Sequence, residues 1–373
     1  MTDPDLARRY HDPRYRVILA DLVLGLGVLA VVALTPPGRA LAAIADPLPE
    51  WLGAFALGAL LVLLSALVRL PLSIWLGLTH ERAFGFSRQS AGEFAADRAK
   101  AVAIGAVLTG AGLAGLVGAA QAFPSWWPLV AAVAAALLVL LLSFVAPVVL
   151  EPVFNRFRPL EDGTLRAAVL AVAAQSGVPV REVLVADASK RTTKLNAYVS
   201  GLGATRRVVL FDTLVDEATP PEVLTVVAHE LGHRRHRHVA IATAIAMAAA
   251  TAFVLGVWAL LSSSRVLEAI DASSAADARV VPFVLLAGSL LGLAVAPLQA
   301  ALSRSWEYAS DRFALDQTGD LAAFESAFGR LSASNLPDPD PPRIVYLWLF
   351  SHPTVEERLA AARLAAGSAT VRA

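Results

Sequence analysis

His229-Glu230-Leu231-Gly232-His233 is followed by a basic run, Arg234-Arg235-His236-Arg237-His238, and then by an apolar block over 239–261. This stretch decides the fold. On a helix, His229 and His233 share a face, one turn apart. That spacing lets two imidazoles reach one Zn2+ ion at about 2.0–2.1 Å each. Glu230 is rotated roughly 100° from His229, so it need not ligate and is free to face a water at the metal. Two ordinary histidines on a helix also give this pattern, so the rest of the chain has to agree with it.

Of the 373 residues, 57% are hydrophobic and only 17% charged. The apolar excess comes in long blocks, the mark of a membrane protein. Net charge is zero, which says nothing about acidic partners. The absence of cysteine excludes a disulfide framework, a thiol nucleophile and Cys-ligated zinc. Lysine occurs only at Lys100, Lys190 and Lys194 among many arginines, which together with the abundant alanine suggests GC-rich coding. No cleavable signal peptide is expected, because the first apolar block follows a long charged segment and ends without a small-residue cleavage site.

Six blocks are long enough to cross a bilayer: 17–35, 51–68, 101–122, 128–150, 239–261 and 280–302. Asp21 lies one turn inside the first, where contact with headgroups is the preferred explanation. Glycines 105, 110, 112, 115 and 118 in the third predict close helix packing. Arg8, Arg9, Arg14 and Arg16 precede the first span, and Arg69, Arg82, Arg88, Arg98 and Lys100 follow the second. The opposite loops are poorer in Arg and Lys, so both termini and the fourth loop should be cytoplasmic. Trp51, Trp126 and Trp127 then fall at the outer interface.

The fourth loop is a large polar insertion. Its periodicity predicts a helix over 165–176, strands over 182–186 and 207–211, and a further strand over 196–199. Gly201-Leu202-Gly203 reads as a turn, since Arg206 stands where a dinucleotide fingerprint needs its last glycine. Thr219-Pro220-Pro221-Glu222 is a helix start leading into the histidine motif. After the sixth span, 304–315 reads as another helical stretch.

A catalytic zinc takes three protein ligands and leaves a fourth position open. The extended metzincin pattern needs glycine at 236 and histidine at 239, but the chain has His236 and Val239. His236 and His238 are local candidates for the third ligand, although a cytoplasmic basic anchor is the preferred reading of that run. Glu307 is the better candidate, because a pair of spans returns the chain to the side of His229 and His233. Asp311 lies one turn further on the same helix face and could fix the tautomer of a ligand imidazole.

Further blocks share a pattern with these. Glu151-Pro152-Val153-Phe154-Asn155, Ser189-Lys190-Arg191 with Asn196-Ala197-Tyr198, and 207–214 join the histidine motif, Glu307-Tyr308-Ala309-Ser310-Asp311, and Ser351-His352-Pro353 through Glu357-Arg358. Together they resemble the type I CAAX prenyl endopeptidase family, in the family's order. Leu70-Pro71-Leu72-Ser73 and His80-Glu81 through Phe84-Gly85-Phe86 are similar to the family's loop near its second and third spans. The resemblance implies a zinc endopeptidase whose helices enclose a chamber within the membrane, with the metal near its cytoplasmic end. It implies Glu307 as third ligand. Asn196 and His352 match positions that hold substrate backbone or stabilise the tetrahedral intermediate, and Arg358 matches an arginine supporting the site. The chain departs from the eukaryotic pattern in having six spans, without the extra N-terminal one.

The expected fold is an α-helical integral membrane protein of about six transmembrane helices around an intramembrane chamber. A small α+β zinc-metalloprotease domain sits on the cytoplasmic side. Its regions are 1–150 (four spans), 151–238 (the insertion with the histidine motif), 239–302 (two spans) and 303–373 (completing the site). The expected activity is hydrolysis of peptide bonds near the C-terminus of membrane-associated peptides, prenylated or not, with one Zn2+ and Glu230 as base. The partners would be a peptide or protein substrate and membrane lipid, with no nucleic acid, in the plasma membrane of a bacterium. Competing readings are a heat-shock-type quality-control protease and a non-catalytic polytopic protein with a structural metal. Against the second, a structural zinc has no use for Glu230, and the charges cluster at one membrane face.

Overall fold

The computed structural model describes residues 3–201 and 203–370. In chain order these form helices α1 (Pro4–Leu34), α2 (Glu50–Val68), α3 (Ala91–Ala122) and α4 (Trp127–Val145), then strand β1 (Phe157–Pro159) and α5 (Thr164–Gln175). Strands β2 (Glu182–Ala186), β3 (Ala197–Ser200) and β4 (Arg207–Phe211) lead into α6 (Pro220–Arg235), α7 (His238–Leu261) and α8 (Val281–Thr318). The last elements are α9 (Leu321–Asn335), α10 (Arg343–Leu349) and α11 (Val355–Thr370).

Among the described residues, six helices are long and apolar enough to cross a membrane: α1, α2, α3, α4, α7 and α8. Neighbours run α1–α2–α3–α4–α7–α8 and back to α1, with α8 also touching α2. In none of the six does more than 28% of the apolar window lie buried. Helices that close a ring around a chamber, unlike those in a solid bundle, stay open on two faces. The ring is tightest between α2 and α3. A Cβ on Gly110 would stand 2.8 Å from the Phe55 carbonyl oxygen, and one on Gly58 would stand 3.2 Å from the Gly110 Cα. Close packing accounts for Gly110 but not for Gly112 or Gly115, whose Cβ positions meet nothing within 4 Å.

Two expectations change here. Asp21 is not simply solvated at the interface: its carboxylate takes both arms of the Arg69 guanidinium, Nε donating at 2.8 Å. Antiparallel α1 and α2 bring the start of one span beside the end of the other, and pairing is the cheaper state for two charges at that depth. The helical stretch at 304–315 is not separate from the sixth span either. No glycine or proline interrupts 298–318, so α8 runs on as one helix of 38 residues, with Pro297 inside it.

The soluble insertion is a four-stranded sheet in the order β1-β2-β4-β3, with β2 and β4 parallel and the outer pairs antiparallel. Strand β1 gave no sequence signal, because Phe157-Arg158-Pro159 lacks alternation. Strand β3 begins at Ala197, leaving Asn196 just outside it. Leu202, within the predicted turn, lies outside the described residues; Gly201 and Gly203 on either side adopt φ of 80° and 57°, open to glycine without strain. Val169 of α5, Val183, Val185, Val208 and Leu210 of the sheet, and Val223, Val227 and Leu231 of α6 form one core. α6 therefore carries the histidine motif with its apolar face locked against the sheet.

Candidate active site

The start of α6 is fixed by a capping box between Thr219 and Glu222, with Pro220 and Pro221 in its first turn. Glu222 also takes the Arg330 guanidinium of α9 at 2.8 Å. The helix ends where Arg237 adopts a left-handed conformation, φ 58°, and α7 departs. Between these limits α6 lies against α8, and Gly232 permits the approach: a Cβ there would sit 3.0 Å from the Ser310 Cα and 3.2 Å from Phe313.

That approach gathers three candidate metal ligands. His229 Nε2 and His233 Nε2 are 3.1 Å apart. Glu307 places Oε2 3.4 Å from His229 Nε2 and Oε1 3.2 Å from His233 Nε2. Two nitrogens each about 2.0–2.1 Å from one tetrahedral ion would be roughly 3.3 Å apart. Glu307 Oε2 is buried and accepts no hydrogen bond, with only ion-pair contacts around it, a state buried polar atoms rarely keep. Both features fit a cation at the point where the three side chains converge. Burial opposes charge on His229, yet the hydrogen bond it donates to Asp311 and the Glu307 carboxylate raise its pKa to about 9. The pocket attracts positive charge.

Around this cluster stands a second layer. Asp311 Oδ1 meets His229 Nδ1 at 2.8 Å. Arg358, from α11, donates Nε to Asp311 Oδ2 at 2.7 Å and lies 3.2 Å from Glu307 Oε2. Its guanidinium also rests over the Phe328 ring, 4.4 Å from the centroid. His352, exposed at the mouth, approaches Glu307 Oε1 to 3.4 Å. Glu230 is not among the converging groups. It lines a cavity of about 250 Å3 with Val199, His233, His238 and Trp306, and burial pushes its carboxyl above the ordinary range.

His229, His233, Glu307, Asp311, Arg358 and His352 thus come together. No hydrogen bond joins Asn196 to them: its Oδ1 accepts from Ala197 N–H at 2.9 Å. His238 is more than a basic anchor. It is buried, its Nδ1 lies 3.0 Å from His233 Nδ1, and its ring stacks on Trp306 at 4.8 Å. The left-handed turn at Arg237 folds His238 back onto the motif, which no spacing rule within one helix foretells. Asn335 was also missed; its amide binds the Leu195 backbone through both atoms.

A His-His-Glu cluster able to hold a metal ion, with a spare glutamate, set between a helix that turns directly into one membrane span and the continuation of another, defines a membrane metallopeptidase. The chain belongs to Peptidase family M48, whose profile matches residues 159–366. Residues 8–156 match the CAAX prenyl protease N-terminal family, described as having five membrane helices; the chain has four long apolar helices there among its described residues. It is 31% identical over 222 residues to an uncharacterized metalloprotease, YhfN, of Bacillus subtilis, covering 59% of this chain and 52% of that protein. With CAAX prenyl protease 1 of Saccharomyces cerevisiae it shares 30% identity over 321 residues, covering 81% of this chain and 70% of the yeast protein. The crystal structure of S. mikatae Ste24p superposes with a TM-score of 0.73 at 27% identity, covering 83% of this chain and 75% of that one.

Proposed function

We propose that this protein is a zinc endopeptidase that cuts near the C-terminus of membrane-associated, lipid-modified peptides. The convergence of His229, His233 and Glu307, with Glu230 beside them, carries this reading. His229, His233 and Glu307 would hold the ion, and a zinc ion there supplies Lewis acidity and a nucleophile at neutral pH. Glu230 takes the proton of the attacking water and delivers it to the leaving amine; its raised pKa brings it nearer the working pH. Asn196, whose Nδ2 has no partner among the described residues, and His352 donate to the oxygen on which charge develops. Asp311 fixes the His229 tautomer, and Arg358 holds both carboxylates ionised. The Arg and Lys distribution supports a cytoplasmic site, and the alanine-rich, lysine-poor composition supports a bacterial plasma membrane. Domain limits near 150, 238 and 302 follow the change from spans to insertion and back.

The test is hydrolysis of a farnesylated CAAX peptide by purified protein, with zinc content measured alongside, for wild type and Glu230→Gln. Wild type should cleave. The variant should keep its zinc and lose about 10^2–10^4-fold in rate. Cleavage of only an unmodified peptide would move the assignment to quality control, and zinc bound with no hydrolysis of either peptide would make the metal structural.

A further inference from the structure

We infer that the free edge of β3 accepts a peptide in a single register, because Asn335 and Arg234 close that edge at its two ends. The identity of the occupant rests on the peptidase reading; the limits rest on backbone geometry. Strands β3 and β4 are antiparallel, with Ala197 opposite Leu210 and Val199 opposite Val208. Phe211 N–H donates to the Asn196 carbonyl at 3.0 Å. Such a ladder turns the backbone groups of alternate residues toward the partner strand. Asn196, Tyr198 and Ser200 therefore face β4, while Leu195, Ala197 and Val199 face away from it.

At Leu195 both outward groups are occupied. Its N–H donates to Asn335 Oδ1 at 2.9 Å, and Asn335 Nδ2 donates to its carbonyl at 3.1 Å. The carboxamide does what one residue of a neighbouring strand would do. At the other end, the Arg234 guanidinium donates to the Val199 carbonyl. Between these stops, Ala197 N–H is turned onto Asn196 Oδ1. One acceptor, the Ala197 carbonyl, and one donor, the Val199 N–H, have no partner among the described residues. Val199 lines the same cavity as Glu230 and His233, so the open pair lies beside the candidate catalytic group. A peptide pairing there meets Asn335 if it slides one way and Arg234 if it slides the other. A slip of two residues would keep every side chain on its own face, so alternation alone does not forbid it and the end stops do. Asn335 is a positioning residue that acts on the substrate through Leu195.

The test uses zinc-loaded full-length protein in detergent, with a farnesylated CAAX peptide and the same peptide unmodified as probes. Products are mapped by mass spectrometry. Wild type should cut one bond. Asn335→Leu, which keeps the shape and removes both hydrogen bonds, should add a second cut two residues away at unchanged zinc content. A single unchanged cut in the variant overturns the inference while leaving the peptidase reading intact. If Asn335→Leu fails to fold, Asn335→Asp keeps the bond from the Leu195 N–H but sets a carboxylate oxygen against the Leu195 carbonyl, and should show the same second product; its absence counts equally against the inference. Amide exchange in Glu230→Gln supplies a readout that needs no hydrolysis. The Leu195 amide should exchange slowly with or without peptide, and the Val199 amide should slow only when peptide is present. Protection at Val199 from a protein that cuts neither peptide would retire the peptidase reading and keep the register. Peptide bound without protecting Val199 would overturn the register.

Discussion

Arg358 determines how the negative charge of the site is held. Its guanidinium binds Asp311, reaches Glu307 Oε2 and comes within 3.2 Å of His229 Nδ1, so that it keeps Asp311 ionised while buried and adds to the histidine contacts that keep Glu307 so. Asp311→Asn keeps an oxygen for His229 Nδ1 but leaves Arg358 without its main counter-charge. We expect zinc affinity to fall about 10–100-fold, the usual effect of losing such a supporting carboxylate, as read by competition with a chelator. The residues of this site were unequally legible. His229, Glu230 and His233 follow from one helical turn, and Glu307 with Asp311 from a second turn plus the parity of membrane crossings. Arg358 and His352 came only with the family resemblance, because their partners lie far away along the chain. His238 was hidden by its basic neighbours. Asn335 left no trace, since an amide that mimics backbone has no characteristic sequence.

At the scale of elements, the site depends on how firmly α6 and α8 are held. Glu222 closes the capping box of α6 through the Thr219 N–H at 2.7 Å and ties the helix to α9 through Arg330. Burial would raise its pKa, but the bonds from Arg330, Ser326 and Thr219 outweigh it and hold the carboxyl at about 2, below its ordinary 4.5. A depressed folded-state pKa stabilises the fold above the unfolded value and is lost as pH falls through the folded one. Glu222→Gln should therefore cost about 1.5–3 kcal/mol near pH 7. In thermal melts its gap from wild type should close as pH drops from 4.5 toward 2. The six spans, the two helices of the insertion, three of the four strands and this cap were readable in advance, whereas α9, α10 and α11 were not. The continuity of α8 was not, because a polarity change at Arg304 looks like an end although nothing breaks the helix there.

Across the whole molecule, six long apolar helices close the ring among the described residues, and polar ties connect the ring to the soluble domain. His11 of α1 binds the Leu336 carbonyl at 2.8 Å, and Tyr15 donates to Asp338 at 2.7 Å. Arg14 and Lys194 share Glu81 in the loop after α2. Deeper in the ring, the Asp21–Arg69 pair joins α1 to the end of α2. Asp21→Leu alone strands the guanidinium and should cost about 1–3 kcal/mol. Asp21→Leu with Arg69→Met should recover most of that loss, since removing this part-buried pair whole leaves no charge unmatched. Melting in detergent distinguishes the two outcomes. Span number and orientation were legible from apolar runs and arginines, whereas the order of helices around the ring was not, because Ala-rich faces offer little to tell neighbours apart.

The bracing of Glu307 by Arg358 also sets a timetable. The two histidines leave the ribosome before the last membrane hairpin is made, and Arg358 is translated after both that hairpin and Glu307. Until α11 docks, the half-made chain carries a histidine pair and an unbraced acid, but not the finished site. Its capacity to cut, if it has the activity proposed here, would begin only once insertion is done, which protects neighbouring nascent chains from a protease still being assembled.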